Sequence, residues 1–209
     1  HDSHRRQRQM CIRDSLLESL KIPNDISNIV NPFNRDGNIS SCIDKTIPYI
    51  IENYDIQPKT AWTKQQDTLS FPPSYENKYI FTHVPSKELN EFRDGSLYDI
   101  YNLSHKYKCF LKNLISNQCT GGIVIVPASF WVSMNMSDIV LRNDFQKIYK
   151  IIRVNIFRDV KDEHLNTNLC SFQFERRKGM QEKKDFVPLI LYPKQHHRMT
   201  TSPIQTNEN

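Results

Sequence analysis

The sequence predicts an α/β domain built on an open, doubly wound sheet of mostly parallel strands. Short apolar runs alternate with stretches of helical periodicity, which is the pattern of repeated strand–helix–strand units. The clearest apolar run is Gly122 to Val126, which is rich in β-branched residues, preceded by Gly121 and followed by Pro127. Such a continuous run is typical of a strand buried on both faces in a parallel sheet.

Other apolar runs on both sides of this strand are also predicted to be strands. The runs Ile151 to Phe157 and Leu169 to Phe174 are separated by a polar segment, which indicates an antiparallel hairpin at the end of the sheet. The remaining predicted strands are Asn28 to Phe33, Ile50 to Tyr54, Tyr79 to Thr82 and Phe186 to Tyr192.

Two stretches carry apolar residues at helical spacing and are predicted to be connecting helices. The first is Ser96 to Ser116, where leucine and aromatic residues recur along one face. The second runs from Asp138 to Tyr149, with Leu141 and Phe145 on its apolar face. With the strands around them, these helices complete the predicted α/β pattern.

The composition is that of a soluble globular protein with a core of its own. The 209 residues are 38% hydrophobic and 24% charged, and no apolar run is long enough to span a bilayer. The five cysteines form no CxxC pair, which argues against a disulfide framework or a zinc site and favours a reducing cytoplasmic setting. The net charge of +5 suits an acidic partner such as DNA without requiring one.

Both ends of the chain are expected to differ from the folded part. Residues 1–15 are predicted to be a sequencing-adapter artefact, because Met10 to Ser15 resemble a translated transposase adapter. Residues 16–192 are expected to form the domain, truncated at both ends, and residues 193–209 a disordered polar tail. The His196-His197 pair is not interpreted as a metal site, because adjacent side chains of an extended segment face apart.

Candidate binding residues follow the predicted strands, where ligands of doubly wound sheets bind. A glycine-bearing turn, two acidic residues and a proline-bearing loop are expected to converge on one edge. This set suits an adenosine-containing ligand, because one carboxylate can accept hydrogen bonds from the ribose hydroxyls and the other from the adenine amine. The residues concerned are Asn31, Pro32, Phe33, Gly37, Asp55, Ile56, Asp67, Thr68, His83, Val84, Pro85 and Ser86.

The order and spacing of these segments resemble the adenine-N6 DNA methyltransferases of restriction–modification systems, including those of large DNA viruses. The first loop of that family, E-P-F-x-G-x-G-D, is similar to Asn31 to Asn38, and its Y-D-I-x-P segment is similar to Tyr54 to Pro58. Asp67 to Leu69 match its D-T-L segment, and Thr82 to Ser86 stand where its T-N-P-P-Y catalytic loop is expected. The likeness covers the range from Ile26 to Phe174.

The resemblance implies a Rossmann-like fold of the class I S-adenosylmethionine (SAM) methyltransferase type, with SAM as cofactor and double-stranded DNA as partner. By this resemblance Asp55 would hold the SAM ribose, Ile56 would pack on the adenine, and Asp67 would accept a hydrogen bond from the adenine amine. Gly37 would lie beneath the methionine moiety. The implied location is the cytoplasm of a bacterium or of a virus-infected host cell. The other residues of the implied cofactor site are Asn31, Pro32, Phe33 and Thr68.

Two departures from the family motifs bear on activity. Arg35 stands at the first motif glycine and Asn31 at the opening acid, and an arginine adds volume and positive charge beside the sulfonium of SAM, which disfavours binding. In the catalytic loop, His83 to Ser86 replace N-P-P-Y. A neutral histidine can accept a hydrogen bond, but the serine offers no face on which a flipped-out base can stack.

Several functional hypotheses therefore stay open at this stage. The chain is a SAM-dependent adenine-N6 DNA methyltransferase with weakened or lost catalysis, a noncatalytic methyltransferase-like protein that binds DNA or a partner subunit, or a gene fragment. Phe130 and Trp131 either line a base pocket or, as we favour, belong to the core. SAM binding that requires Asp55 would favour the enzyme, whereas salt-dependent DNA binding without it would favour the scaffold.

Overall fold

The computed structural model describes Leu17 and residues 20–34, 37, 39–43, 46–89, 91–161, 167–179 and 186–192. Arg35, residues 1–15, residues 193–209 and the His196-His197 pair lie outside the described residues, so the predictions made for them stay predictions. Within the described part, no helix is long and apolar enough to cross a membrane.

The described residues form one mixed sheet of eight strands in the order β3-β2-β1-β4-β5-β7-β6-β8. The five strands from β3 to β5 in this order are parallel to one another, β7 is antiparallel to both β5 and β6, and β8 is parallel to β6. The predicted open sheet with a terminal antiparallel hairpin is therefore confirmed. The strands are β1 (Asn28–Asn31), β2 (Ile50–Asp55), β3 (Lys64–Gln65), β4 (Tyr79–His83), β5 (Gly121–Pro127), β6 (Tyr149–Lys161), β7 (Asn168–Arg176) and β8 (Leu189–Tyr192).

The central strand β5 is buried along its whole length, as its unbroken apolar run predicts. It lies between β4 and β7, and Gly122 pairs with Ile80 on one side and Phe174 on the other. A Cβ atom at Gly122 would lie 2.8 Å from the Phe174 ring and 2.9 Å from the Ile80 side chain. Glycine is required here because any side chain would push the neighbouring strands apart.

The helices are α1 (Glu91–Tyr101), α2 (Lys106–Ser116), α3 (Ser129–Val132) and α4 (Met136–Ile148). The prediction of a single helix over Ser96 to Ser116 is wrong, because Asn102 adopts a left-handed conformation with φ of 52° and separates α1 from α2. The apolar spacing gave no sign of this break, since both helices bury residues in the same cluster. Asn is one of the few residues that adopt this conformation routinely.

Two apolar clusters lie on the two faces of the sheet, since successive strand residues such as Ile29 and Val30 enter different clusters. The larger cluster receives the buried apolar residues of the four described α-helices, and a short 3-10 helix at Ser40–Cys42 lies in the loop after β1. The smaller is covered by the segments around Leu20, Ile39 and Ile43. Phe130 is fully buried in the larger cluster, and the Trp131 ring packs edge-on against Phe172 at 5.1 Å. The core interpretation of this aromatic pair is therefore supported. 

Candidate ligand site at the carboxyl ends of the parallel strands

The strand order reverses between β1 and β4, because the chain continues outward from β1 to β2 and in the other direction from β4 to β5. The loops that leave β1 and β4 therefore diverge, and a crevice at the carboxyl ends of the strands is the usual ligand site of such a sheet. The structure brings Asn31, Asp55 and His83 to this one edge as the last residues of β1, β2 and β4.

Asn31 is fully buried and both ends of its amide are engaged by protein groups. Its Oδ1 accepts hydrogen bonds from Thr82 Oγ1 at 2.7 Å and from the Phe33 N–H at 3.3 Å. Its Nδ2 donates to Asn34 Oδ1 at 2.8 Å and to Ser40 Oγ at 3.0 Å. The side chain thus joins β1 to β4 and to the following loop.

The same hydrogen-bond network continues from Asn34 towards β2 and the segment before β3. Asn34 Nδ2 donates to Thr63 Oγ1 at 2.8 Å. The Ser40 hydroxyl lies 2.9 Å from Asn34 Oδ1 and 2.8 Å from Asn53 Oδ1, so it donates its proton to one of these oxygens. Every side chain in this amide network is neutral, and each satisfies another, which makes burial of these polar groups tolerable. We define the amide network as Asn31, Asn34, Ser40, Asn53, Thr63 and Thr82.

Asp55 contrasts with the amide network because its carboxylate has fewer hydrogen-bond partners among the described residues. It is 7% exposed, and its Oδ1 accepts a hydrogen bond from the Gln57 N–H at 2.7 Å. A carboxylate offers about four acceptor positions, so capacity remains for further donors such as two hydroxyls. The next residue, Ile56, presents an apolar side chain that is 58% exposed, which suits contact with the face of a flat ring.

Asp67 uses its carboxylate to close its own turn. Its Oδ1 accepts from the Leu69 and Ser70 N–H groups at 3.1 and 3.3 Å, and its Oδ2 accepts from Ser70 Oγ at 2.7 Å. Thr68 is buried and donates to the Pro32 carbonyl at 3.1 Å, which fastens this turn to the loop after β1. The bonds around Asp67 are those of a local turn, and its expected role towards an adenine amine remains a prediction.

Gly37 has a φ of 71°, in the left-handed region that glycine adopts freely. A Cβ atom on Gly37 would lie 2.6 Å from two carbons of the Trp62 ring, so the indole packs directly against this glycine. Trp62 is 55% exposed, and its neighbour Thr63 is held by Asn34. The residue that the family resemblance assigns to the methionine moiety is therefore covered by Trp62, for which the sequence gave no signal.

The loop after β4 carries the residues that stand in the catalytic motif. His83 and Pro85 are exposed, whereas Val84 and Ser86 are 1% and 3% exposed. The Val84 N–H donates to the Ile125 carbonyl at 3.0 Å, so the pairing of β4 with β5 extends one residue beyond the strand. Ser86 is buried, and its position offers no surface on which a base could stack. Phe33, from the loop after β1, packs edge-on against Phe110 in the core at 5.1 Å.

A buried ion pair lies on the helical side of the sheet. Lys108 Nζ of α2 lies 2.6 Å from Asp138 Oδ1 of α4, and both side chains are almost fully buried. Burial alone would raise the pKa of Asp138, but the hydrogen bond and charge of Lys108 lower it below its usual range. The pair ties α2 to α4. In the described ranges, no group of His, Cys, Asp or Glu is placed to hold a metal ion.

Sequence comparison matches the chain to no protein-family model and to no curated protein. Solved structures do resemble it. A modification subunit of a provisionally assigned type I restriction enzyme from Vibrio vulnificus has a TM-score of 0.58 at 10% identity, covering 80% of this chain and 43% of its own. A provisionally assigned class I SAM-dependent methyltransferase from Listeria monocytogenes has a TM-score of 0.57 at 12% identity, with coverages of 88% and 62%.

A third structure, the methyltransferase subunit of a type I restriction–modification system from Streptococcus thermophilus, has a TM-score of 0.56 at 10% identity and coverages of 87% and 45%. The chain thus spans between 43% and 62% of the lengths of these three structures. At such identities the likeness bears on the fold alone. It agrees with the strand order described above: the chain has the class I SAM-dependent methyltransferase fold.

Proposed function

We propose that this chain is a homologue of the adenine-N6 DNA methyltransferases that binds the adenosyl part of SAM and acts on double-stranded DNA, with methyl transfer weakened or lost. The observation that carries the proposal is Asp55, a nearly buried carboxylate at the end of β2, one strand from the reversal point, whose described partners leave acceptor positions available. In doubly wound folds an acidic residue at this place binds the ribose hydroxyls of a nucleotide.

The adenosyl half of SAM fits the residues that are present. Asp55 can accept hydrogen bonds from the ribose hydroxyls, and the exposed Ile56 can pack on one face of the adenine. The methionine half fits less well, since Trp62 covers Gly37 and the Asn31 amide is fully engaged within the amide network. SAM affinity is therefore expected to come mainly from its adenosyl part.

SAM, when bound, supplies an electrophilic methyl group, and the protein must then orient the target amine and its base. A neutral His83 imidazole can accept one hydrogen bond from the amine, and the Val84 carbonyl can accept another. Ser86 is buried and has no aromatic ring, so it gives the base no surface on which to stack. Such stacking contributes about 1–3 kcal/mol to binding. Misplacement of the amine relative to the methyl group lowers the rate further.

Calorimetric titration of adenosine and of SAM into the protein and its Asp55→Asn variant tests the cofactor site. We expect the protein to bind both ligands with similar affinity, because the methionine half adds little, and the variant to bind both at least about tenfold more weakly. A control variant, Gln57→Ala, removes an exposed side chain next to Asp55 and should bind like the parent. Equal binding by Asp55→Asn and the parent would overturn the proposed site.

A second candidate function is that of a noncatalytic DNA-binding protein, which the burial of Ser86 and the Trp62 contact favour. Incorporation of a labelled methyl group from SAM into adenine-containing duplex DNA separates the two. Label incorporation that is lost in His83→Ala would support the enzyme. DNA binding by a folded protein that incorporates no label would support the noncatalytic candidate.

A further inference from the structure

A shallow, open cavity of about 340 Å³ lies at the opposite edge of the sheet from the candidate ligand site. Because β7 runs antiparallel to β5, its last residue lies beside the start of β5, and the Arg176 N–H donates to the Thr120 carbonyl at 2.8 Å. The end of α4 completes the wall. We call this cavity the basic pocket, because four of its lining residues are cationic: Lys147, Arg176, Arg177 and Lys178.

Of the four cations, Arg177 has a structural role, because it binds the end of α4. Its N–H donates to the Ile148 carbonyl at 3.0 Å, and its Nε donates to the Gln146 carbonyl at 2.9 Å. These are carbonyls of the last turn of α4, which lack partners within the helix and carry partial negative charge. The positive charge of Arg177 therefore stabilises the C-terminus of α4, and its hydrogen bonds fix the position of the segment that follows β7.

The other cations of the basic pocket are not required for that purpose. Lys147 is paired with Asp144 at 2.8 Å, and the neighbouring Glu175 is paired with Lys150 at 3.6 Å. Among the residues that the structure describes, no acidic residue lines the pocket itself. Arg176 and Lys178 are exposed, and within the described ranges neither forms an ion pair, so no described carboxylate neutralises their positive charge.

We propose that the basic pocket binds phosphate groups of a nucleic acid backbone. The planar guanidinium of Arg176 can donate two hydrogen bonds to one phosphate, and the Lys178 ammonium adds a point charge beside it. A shallow and open site suits a continuous backbone better than a small ligand, which an enclosed pocket would hold. Contacts to phosphate position a duplex without reading its sequence.

This inference goes beyond the proposed function, because it needs neither SAM nor methyl transfer and places a DNA contact away from the candidate ligand site. The charged run Arg176 to Lys178 taken by itself indicates only a solvated loop. The anchoring by Arg177 changes this, because it fixes the backbone beside two exposed cations at the mouth of a cavity. Cations on a fixed backbone lose less entropy on binding than cations on a mobile loop.

The test is fluorescence anisotropy of a labelled DNA duplex titrated with the full chain over a series of salt concentrations. The Arg176→Gln/Lys178→Gln variant should bind at least about tenfold more weakly at low salt, and the slope of log K against log salt should fall by about 1.8, corresponding to two lost phosphate contacts. A matched control is Lys21→Gln/Arg158→Gln, which also removes one exposed lysine and one exposed arginine, from positions outside the pocket.

The control variant should change the dissociation constant less than about twofold. Equal losses in both double variants would overturn the proposal, since binding would then depend on net charge alone. So would an unchanged Arg176→Gln/Lys178→Gln variant, or a folded parent that binds anionic vesicles but no duplex. The two proposals can fail independently. Loss of adenosine binding would count against the Asp55 site, whereas the anisotropy titration tests DNA binding at the basic pocket and does not depend on Asp55.

Discussion

At the candidate ligand site, the neighbouring ends of β1 and β2, which we call the β1 side and the β2 side, use polar residues in opposite ways. On the β1 side, Asn31 and Asn34 direct every amide group to another protein group. On the β2 side, Asp55 accepts from one backbone donor among the described residues and is followed by the exposed Ile56. Polar side chains that satisfy one another stabilise the fold, whereas under the proposed function the spare acceptor positions of Asp55 would receive the ribose hydroxyls.

The largest expected effect comes from breaking the β1 side. Asn31→Ala removes the partners of Thr82, Asn34 and Ser40, so we expect the free energy of unfolding to fall by about 3 kcal/mol, as measured by urea denaturation. The exposed-site control Gln57→Ala should change it by less than about 0.5 kcal/mol. An Asn31→Ala protein of unchanged stability would show that the amide network is not a structural support.

The next effect should occur on the β2 side and in binding rather than stability. Asp55→Asn keeps the shape of the side chain but removes its charge, so adenosine binding should weaken by about 1.5–3 kcal/mol. The free energy of unfolding should change by less than about 1 kcal/mol, since within the described ranges the Gln57 N–H bond is the one affected. A large loss of stability with retained binding would reverse the comparison between the two sides.

A smaller effect is expected from Trp62, whose ring covers Gly37 in the loop after β1. Trp62→Ala uncovers Gly37, so the affinity for SAM relative to adenosine should rise by about fivefold in calorimetric titration. Phe71→Ala is the matched control, because Phe71 is an exposed aromatic residue on the neighbouring turn and should leave the ratio unchanged. A lower ratio in Trp62→Ala would mean that the indole contacts the cofactor instead of excluding it.

The smallest effect is a pH dependence of stability from the buried pair of Lys108 and Asp138, a charged counterpart of the amide network. The pKa of Asp138 is lowered in the folded protein by Lys108, so its contribution is fully present above the unfolded pKa of about 4 and is lost as pH falls through the folded value. Urea midpoints measured from neutral to acid pH should fall less steeply in Asp138→Asn. If the parent and Asp138→Asn showed the same dependence of the urea midpoint on pH, this pH dependence could not be assigned to Asp138.

The strands were largely predictable, whereas the break in the first helical stretch was not. Runs such as Gly122 to Val126 are apolar throughout because both faces of a central strand are buried. A continuous apolar run can be recognised from the sequence alone. The separation of α1 from α2 at Asn102 depends on one left-handed residue. Both helices pack on the same cluster, so the apolar spacing continues across the break and conceals it.

The candidate site was predictable only as a set of positions. Asp55 and His83 could be placed at one edge of the sheet because strand ends are visible in the sequence. The partners of Asn31 are up to 51 residues away along the chain, and no local pattern links them. Trp62 likewise gave no signal, because its contact with Gly37 is made across two loops.

The sequence by itself determined the fold class, since hydrophobic periodicity fixes which segments are strands and which faces are buried. It also located the ends of β1, β2 and β4, which meet at one edge, to within two residues. Only the tertiary structure decided what those residues do there. Asn31 lies within an amide network, Trp62 covers Gly37, Ser86 is buried, and Arg177 fixes a basic pocket at the far edge. Each of these outcomes depends on contacts between distant segments, which form only when the sheet brings those segments together.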